Sequence, residues 1–294
     1  MVRLPKLGWV RFRLSRPLGG VVRNATLSRD AQAWHVSFGI AADLPPAVPN
    51  GLPGVGVDFG VACSAFCSDE NEPRLMAPSL RPGEQRRLLG LEQRKDRQIS
   101  FAKKHNGGRY SKRLRRTIAQ IAALRARQAR RRKDFTHKLT TDLAKSHGWI
   151  AIEDLRVKSM TKSAKGTKDK PGEKVRQKAG LNRAILDNAW GERRRQLRYK
   201  ATRYGSELRI VPAPGTSQTC SECYVRDPQS RPGCGRVFAC IACGHTEHAD
   251  RNAAKEIKSR GEAVGPTVQH ASPKGARAAR TRTRELPKGQ AHVV

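Results

Sequence analysis

GVGVDFG, residues 54–60, sets one carboxylate, Asp58, at the end of an apolar run and between glycines. The run reads as a buried strand. A carboxylate closing such a strand is either a turn aspartate or a ligand for something positively charged. Two further acids stand in similar frames. IAIEDL, residues 150–155, closes an apolar strand on Glu153, and HADRNAAKEI, residues 248–257, opens a helix with Asp250. On that helix Asp250, Ala253, Ala254 and Ile257 share one face. The two alanines permit close approach to a sheet, which would aim Asp250 at the strand ends. Taken singly, Glu153 could be a surface acid and Asp250 only an N-cap. Taken together, three hard oxygen ligands could hold a pair of Mg²⁺ ions about 3.5–4 Å apart. One ion would activate a water and the other would stabilise the leaving oxygen of a phosphodiester. The neighbouring Asp154 and Glu247 are expected to matter less.

Working outward, residues 3–40 alternate like strands, with Val10, Phe12 and Leu14 on one side, and AADLPPAVPNGLPG (41–54) reads as a linker. The segment 55–68 predicts two strands, with Cys63 and Cys67 on one face as buried small residues, and RLMAPSL (74–80) suggests a third. From 83 to 145 the pattern is helical: Tyr110, Leu114, Ile118 and Ile121, then Phe135, Leu139 and Leu143, recur at helix spacing. A strand at 148–155, a basic loop over 156–180, a helix over 181–205 stopping at Gly205, and a strand at ELRIVP follow. Cysteine pairs, a short helix from Asp250 and a basic, disordered tail from 262 complete the chain. This order, with acids on a first strand, a later strand and a last helix, fits an α/β, ribonuclease H-like fold.

Lys and Arg number 59 against 25 acids, a formal net charge of +34. Such a field repels itself and implies a polyanionic partner, most simply nucleic acid. No stretch reaches the ~18 consecutive apolar residues of a membrane span, and no signal-peptide run opens the chain. The chain therefore reads as intracellular and cytoplasmic, with cysteines serving metal binding or burial rather than disulfides. Between Arg109 and Lys133 stand eleven basic residues and no acid. Surfaces ordinarily mix signs, so Arg113, Arg116, Arg127, Arg130, Arg131 and Arg132 are candidate phosphate contacts.

CSEC and CIAC hold Cys220, Cys223, Cys240 and Cys243, two C-x2-C pairs separated by sixteen residues. Two residues between ligands let both sulfurs reach one tetrahedral ion, so the spacing predicts a structural Zn²⁺ site. Cys234, between the pairs, is an alternative to Cys240. His245 and His248 read as surface residues or as supports of the ligands.

GVDFG, IAIEDL, LNRAILDNAWGERRRQLRYKATRYG, TSQTCSEC and CIACGHTEHADRNAAKEI, in that order over roughly residues 5–260, resemble the TnpB (OrfB) family of insertion-sequence proteins. These are RNA-guided nucleases related to the type V CRISPR effectors. The resemblance implies a RuvC-like nuclease core over 51–218, carrying a basic helical insertion at 83–145. It implies a zinc ribbon over 219–246 that contacts target nucleic acid, a final helix over 247–261 and a tail from 262 to 294. It implies catalytic acids at Asp58, Glu153 and Asp250, zinc ligands at Cys220, Cys223, Cys240 and Cys243, and two partners: a DNA target and a guide RNA from the transposon end. Phe59 stands where the family usually has Leu, and Tyr224 where Gly often follows the first pair. Residues 1–50 resemble the end of the family's β-rich wedge domain, so the expectation is an N-terminally truncated chain. Its function is then RNA-guided cleavage of DNA, or, as the alternative, nucleic-acid binding by an inactive relic. Family members carry the name transposase, but nothing in the chain shows that it moves DNA.

Overall fold

The computed structural model describes residues 1–31, 33–41, 47–231 and 235–265. The leading strands form two separate antiparallel ribbons: β1 (Val2–Leu4) with β2 (Gly8–Val10), and β3 (Val21–Arg29) with β4 (Trp34–Ala41). β3 is exposed along its whole length. The alternation at Val10, Phe12 and Leu14 outruns the strand, which ends at Val10; Phe12 instead packs on Phe38, ring centroids 5.4 Å apart.

β5 (Gly54–Asp58) and β6 (Phe66–Cys67) follow, then α1 (Pro82–His105), α2 (Lys112–Ser146) and β7 (Trp149–Glu153). Next come α3 (Val157–Met160), α4 (Val175–Asp187), α5 (Trp190–Arg203) and β8 (Glu207–Val211). β9 (Val237–Ala239), β10 (Thr246–His248) and α6 (Ala249–Val264) close the described chain. The core is a mixed α/β sheet of order β6-β5-β7-β8. β5, β7 and β8 are parallel, and β6 runs antiparallel on the outer edge of β5.

Strand alternation gives this sheet two unlike faces. Val55, Val57, Ile150, Ile152 and Leu208 pack with Leu139 and Leu143 of α2 and Leu197 and Ala201 of α5. The opposite face carries Trp149, Ala151 and Val211 against Ile257 of α6. Before Asp58, β5 offers only Gly54 and Gly56 to that side. A Cβ on Gly56 would sit 2.1 Å from the Ala254 carbonyl oxygen and 2.4 Å from the Lys258 nitrogen, while one on Gly54 would enter the Trp149 ring. The valine–glycine alternation of 54–58 thus separates a face for side chains from a face for a helix backbone.

Several boundaries differ from the sequence reading. Residues 83–145 form two helices, because Asn106-Gly107-Gly108 turns the chain with both glycines at positive φ, and the Ser111 hydroxyl caps α2 by accepting the Leu114 N–H at 3.2 Å. The 181–205 helix is broken at Ala189, whose φ of 52° is left-handed, and its first half starts earlier, at Val175, inside the expected loop. RLMAPSL forms no strand; Arg74 makes a single bridge to Ala65. Cys67 lies in β6 but Cys63 lies in the preceding turn, so the two do not share a strand face, although both are buried. α6 runs on to Val264, three residues past its expected end at 261. The expected tail from 266 onward, and Cys234, lie outside the described residues.

Gly56→Ala forces a methyl into the α6 backbone. Its stability should fall by about 3 kcal/mol, the upper range of overpacking costs. Gly83→Ala, with open space around it, should stay near wild type; thermal unfolding of the two variants checks this.

Candidate functional site: an acid cleft beside a four-cysteine knuckle

The β5–β7 register pairs Val57 with Ile152, and its next step sets Asp58 beside Glu153 at the strand ends. α6 starts just beyond the same edge. Asp58, Glu153 and Asp250 therefore line one cleft of about 430 Å³, with Thr216, Ser217 and Arg231. Their oxygens do not come within the 4.8 Å mutual spacing that the four cysteine sulfurs keep. The acids surround the cleft rather than share one point.

Each carboxylate is held differently. Asp58 keeps a partly exposed face on the cleft. Burial of its carboxyl, and then the charges of Glu153 and Asp250, push it up to about 8 from 3.8, with Arg231 opposing. Burial also raises Glu153, opposed by a hydrogen bond from the Thr216 hydroxyl and by the Arg260 charge. Asp250 lies 3.4 Å from the Arg231 guanidinium and clusters with the Cys63 thiol and His248. That contact and, above all, burial push Cys63 up to about 11. His248 is the N-cap of α6: its Nδ1 accepts the Asp250 N–H at 3.2 Å, and its ring lies 5.0 Å from Phe66. Three acids against Arg231 and the more distant Arg260 make a site short of positive charge, suited to a hard divalent cation.

The neighbouring acids are engaged elsewhere. Asp154 pairs with Arg194, and Glu247 with Lys255 at 2.8 Å and Arg251 at 3.1 Å. A larger cavity of about 810 Å³ beyond β8, lined by Asp154, Arg156 and Met160, gathers no comparable set of acids.

The four cysteines converge from two similar turns. Cys220 and Cys243 sulfurs lie 3.7 Å apart, and those of Cys223 and Cys240 lie 3.6 Å apart. Tyr224 N–H donates to the Cys220 carbonyl and Gly244 N–H to the Cys240 carbonyl, both at 3.0 Å. Both following residues are left-handed, with φ of 60° at Tyr224 and 74° at Gly244. Glycine adopts this freely; tyrosine does so at about 1 kcal/mol. Backbone N–H groups hold the Cys240 thiol down to about 6, while hydrogen bonding among the sulfurs pushes Cys243 the other way. Among the described residues, four sulfurs with no other donor make this a closed, tetrahedral-type set. His245 and His248 are both half-buried and belong to no four-sulfur set.

The basic run of α2 is free of acids in sequence but not in space. Glu84 of α1 pairs with Arg127 at 2.6 Å and with Arg131 at 2.5 Å, and is held down to about 2 by Arg131, the Arg81 backbone N–H and Arg127. Asp30 lies 3.5 Å from Arg130, and Asp187 pairs with Arg132. Arg113 and Arg116, near the start of α2, are exposed and make no ion pair among the described residues. The sequence reading missed Thr216 and Arg231. Thr216 opens TSQTC beside the first cysteine; Arg231 had no signal, being one arginine in a basic chain.

Two family profiles match the chain. Residues 36–164 match the family described as "Probable transposase", and residues 190–257 match "Cas12f1-like, TNB domain". The chain is 38% identical over 275 residues to "Putative RNA-guided DNA endonuclease InsQ" of Escherichia coli (strain K12), covering 92% of this chain and 65% of that protein. It is 32% identical to "Putative RNA-guided DNA endonuclease" of Streptomyces pristinaespiralis, covering 86% of this chain and 57% of that protein. The chain thus spans about two thirds or less of the length of these relatives. Among solved structures, that of a Cas12f1–sgRNA–target DNA complex is similar with a TM-score of 0.41 and 19% identity, covering 79% of this chain and 55% of that one.

The raised Asp58 predicts a pH effect on stability. An acid with a folded pKa of about 8 keeps its proton in the folded state after the unfolded chain has lost it. Its contribution to stability is therefore present below pH ~4 and is lost as pH rises towards 8. With no divalent cation added, Asp58→Asn should be the more stable protein at pH 8, by roughly 5 kcal/mol, and equal to wild type at pH 4. Denaturant unfolding at the two pH values measures it.

Proposed function

Because the chain belongs to the TnpB (OrfB) family of insertion-sequence proteins, we propose that it is a metal-dependent DNA endonuclease guided by a bound RNA. The observation that carries this reading is the cleft itself: strand-end carboxylates Asp58 and Glu153 and helix-start Asp250 around one cavity, with Asp58 pushed up to about 8 by burial and by its two acidic neighbours. In this reading the parallel strands and α6 are a RuvC-like core, residues 219–246 a zinc ribbon on the target nucleic acid, and 1–50 a wedge-type β region. Magnesium, when bound, supplies a water acidified towards neutral pH and a Lewis acid for the leaving oxygen. Asp58, Glu153 and Asp250 would hold it.

The chain's own residues do the rest. β5 and β7 fix Asp58 and Glu153 side by side on a rigid sheet, so neither rotates far when a substrate arrives. Arg231 pairs with Asp250, and its guanidinium can exchange that carboxylate for a phosphate oxygen of the substrate. His248 caps α6 by accepting the Asp250 backbone N–H, which fixes the start of the helix that carries this acid. The excess cations hold the polyanion: Arg113 and Arg116 are ready for phosphates, whereas Arg127, Arg130, Arg131 and Arg132 must exchange an intramolecular carboxylate for one. The guide RNA selects the DNA by base pairing, so the protein needs no base-reading surface for that part of the target. Cys220, Cys223, Cys240 and Cys243 would hold a structural Zn²⁺ with no position open for catalysis.

Asp58→Ala, Glu153→Ala and Asp250→Ala should each lower Mg²⁺-dependent DNA cleavage by about 10³-fold or more, and the pairwise variants should lose no more than the singles. Asp154→Asn should stay near wild type. Protein purified with the RNA it carries, assayed on single-stranded and duplex DNA, tests this. Cleavage that survives Asp58→Ala ends the three-acid reading; nucleic-acid binding without cleavage in wild type favours the relic.

Cys220→Ser and Cys240→Ser should each release the ribbon's metal, measured as zinc per chain, and open residues 220–243 to proteolysis. Metal content and protease resistance equal to wild type would remove the ribbon assignment.

A further inference from the structure

Thr216 is 3% exposed, and its hydroxyl donates to Glu153 Oε1 inside the cleft. The Ala213 carbonyl lies 3.0 Å from the same hydroxyl. A hydroxyl has one proton to give, and an ionised carboxylate is the stronger acceptor.

The segment that carries Thr216 is held at both ends by α6. On the β8 side, Arg260 Nη1 donates to the Pro212 carbonyl at 2.8 Å and the Pro214 carbonyl at 3.1 Å. On the ribbon side, Asn252 is fully buried; its Nδ2 donates to the Thr219 carbonyl at 2.8 Å and its Oδ1 accepts the Ser221 N–H at 2.9 Å. Both amide groups of Asn252 are thus spent on the two residues flanking Cys220. Between these anchors the Gln218 and Thr219 N–H groups close a turn onto the Gly215 carbonyl, at 2.9 and 3.0 Å. The helix that presents Asp250 therefore also sets where Thr216 meets Glu153.

We propose that Thr216 is a positioning residue of the acid cleft: its hydroxyl fixes the rotamer of Glu153 for a divalent cation, and the 212–221 strap between Arg260 and Asn252 holds that hydroxyl in place. The inference rests on the reading of Glu153 as a cation ligand. Hydrogen-bond partners that orient metal ligands are worth roughly 10–100-fold in metal affinity when lost. A threonine that only closed its own turn through Ala213 would change stability and leave cation affinity alone.

The test uses Mn²⁺ as the probe, titrated by electron paramagnetic resonance into full-length protein with its ribbon zinc content verified. Thr216→Val keeps the shape and removes the hydroxyl; Thr216→Ala makes the same deletion without a methyl against the carboxylate, should the valine variant fail to fold. Mn²⁺ affinity should fall about 10-fold in both, kcat for cleavage should fall with KM for DNA unchanged, and Thr216→Ser should restore both. Wild-type Mn²⁺ affinity in the valine or alanine variant overturns the proposal whatever its melting temperature, as does a serine variant as weak as they are. Asp58→Ala separates the two levels. If it weakens Mn²⁺ binding and Thr216→Val does not, only the role of Thr216 falls. If neither weakens it, the reading of the cleft falls as well.

Discussion

α6 lies against β5 with its backbone, not its side chains, at the point of contact: the Ala254 carbonyl and Lys258 nitrogen occupy the space a Cβ on Gly56 would need. Dispersion and burial favour such close approach only where both surfaces are small, here Gly56 below and Ala253 and Ala254 above. The spacing fixes how far Asp250 stands from the strand ends. It also places Asn252 on the ribbon's first turn and Arg260 on the segment leaving β8. One packing distance is thereby shared by the sheet, the four-cysteine knuckle and the acid cleft.

The cleft works against the stability of the protein that holds it. Three carboxylates near one another, with the most buried pushed up to about 8, repel and desolvate one another, and Arg231 offsets only part of that cost. Rigid elements make the arrangement sustainable. Two of the acids are on adjacent parallel strands whose other face is filled by Val55, Val57, Ile150 and Ile152, so repulsion cannot be relieved by local movement without opening the core. A cation relieves it directly, which ties the chemistry assigned to the cleft to its energetics.

The charge of +34 is not spread as a bare field. α1 returns alongside α2 and lends Glu84 to Arg127 and Arg131, while Asp30 and Asp187 reach Arg130 and Arg132 from other parts of the chain. Surface pairs of this kind add little to stability, so a phosphate can displace them. They lower self-repulsion in the free protein without removing the capacity to bind a polyanion.

The sequence by itself determined whatever depends on neighbours within a few residues. Valine–glycine alternation, an acid closing each of two apolar strands, two alanines one turn after Asp250 and two C-x2-C pairs are local patterns. The α/β order and the convergence of Cys220, Cys223, Cys240 and Cys243 were legible from them. Tertiary structure decided what depends on partners far along the chain. Thr216 reaches Glu153 across 63 residues, and Arg131 meets Glu84 across 47. No periodicity encodes such pairs, because each is set by how separately formed elements dock. The break at Ala189 was hidden because alanine is the strongest helix former, yet here it takes a left-handed φ of 52° between α4 and α5.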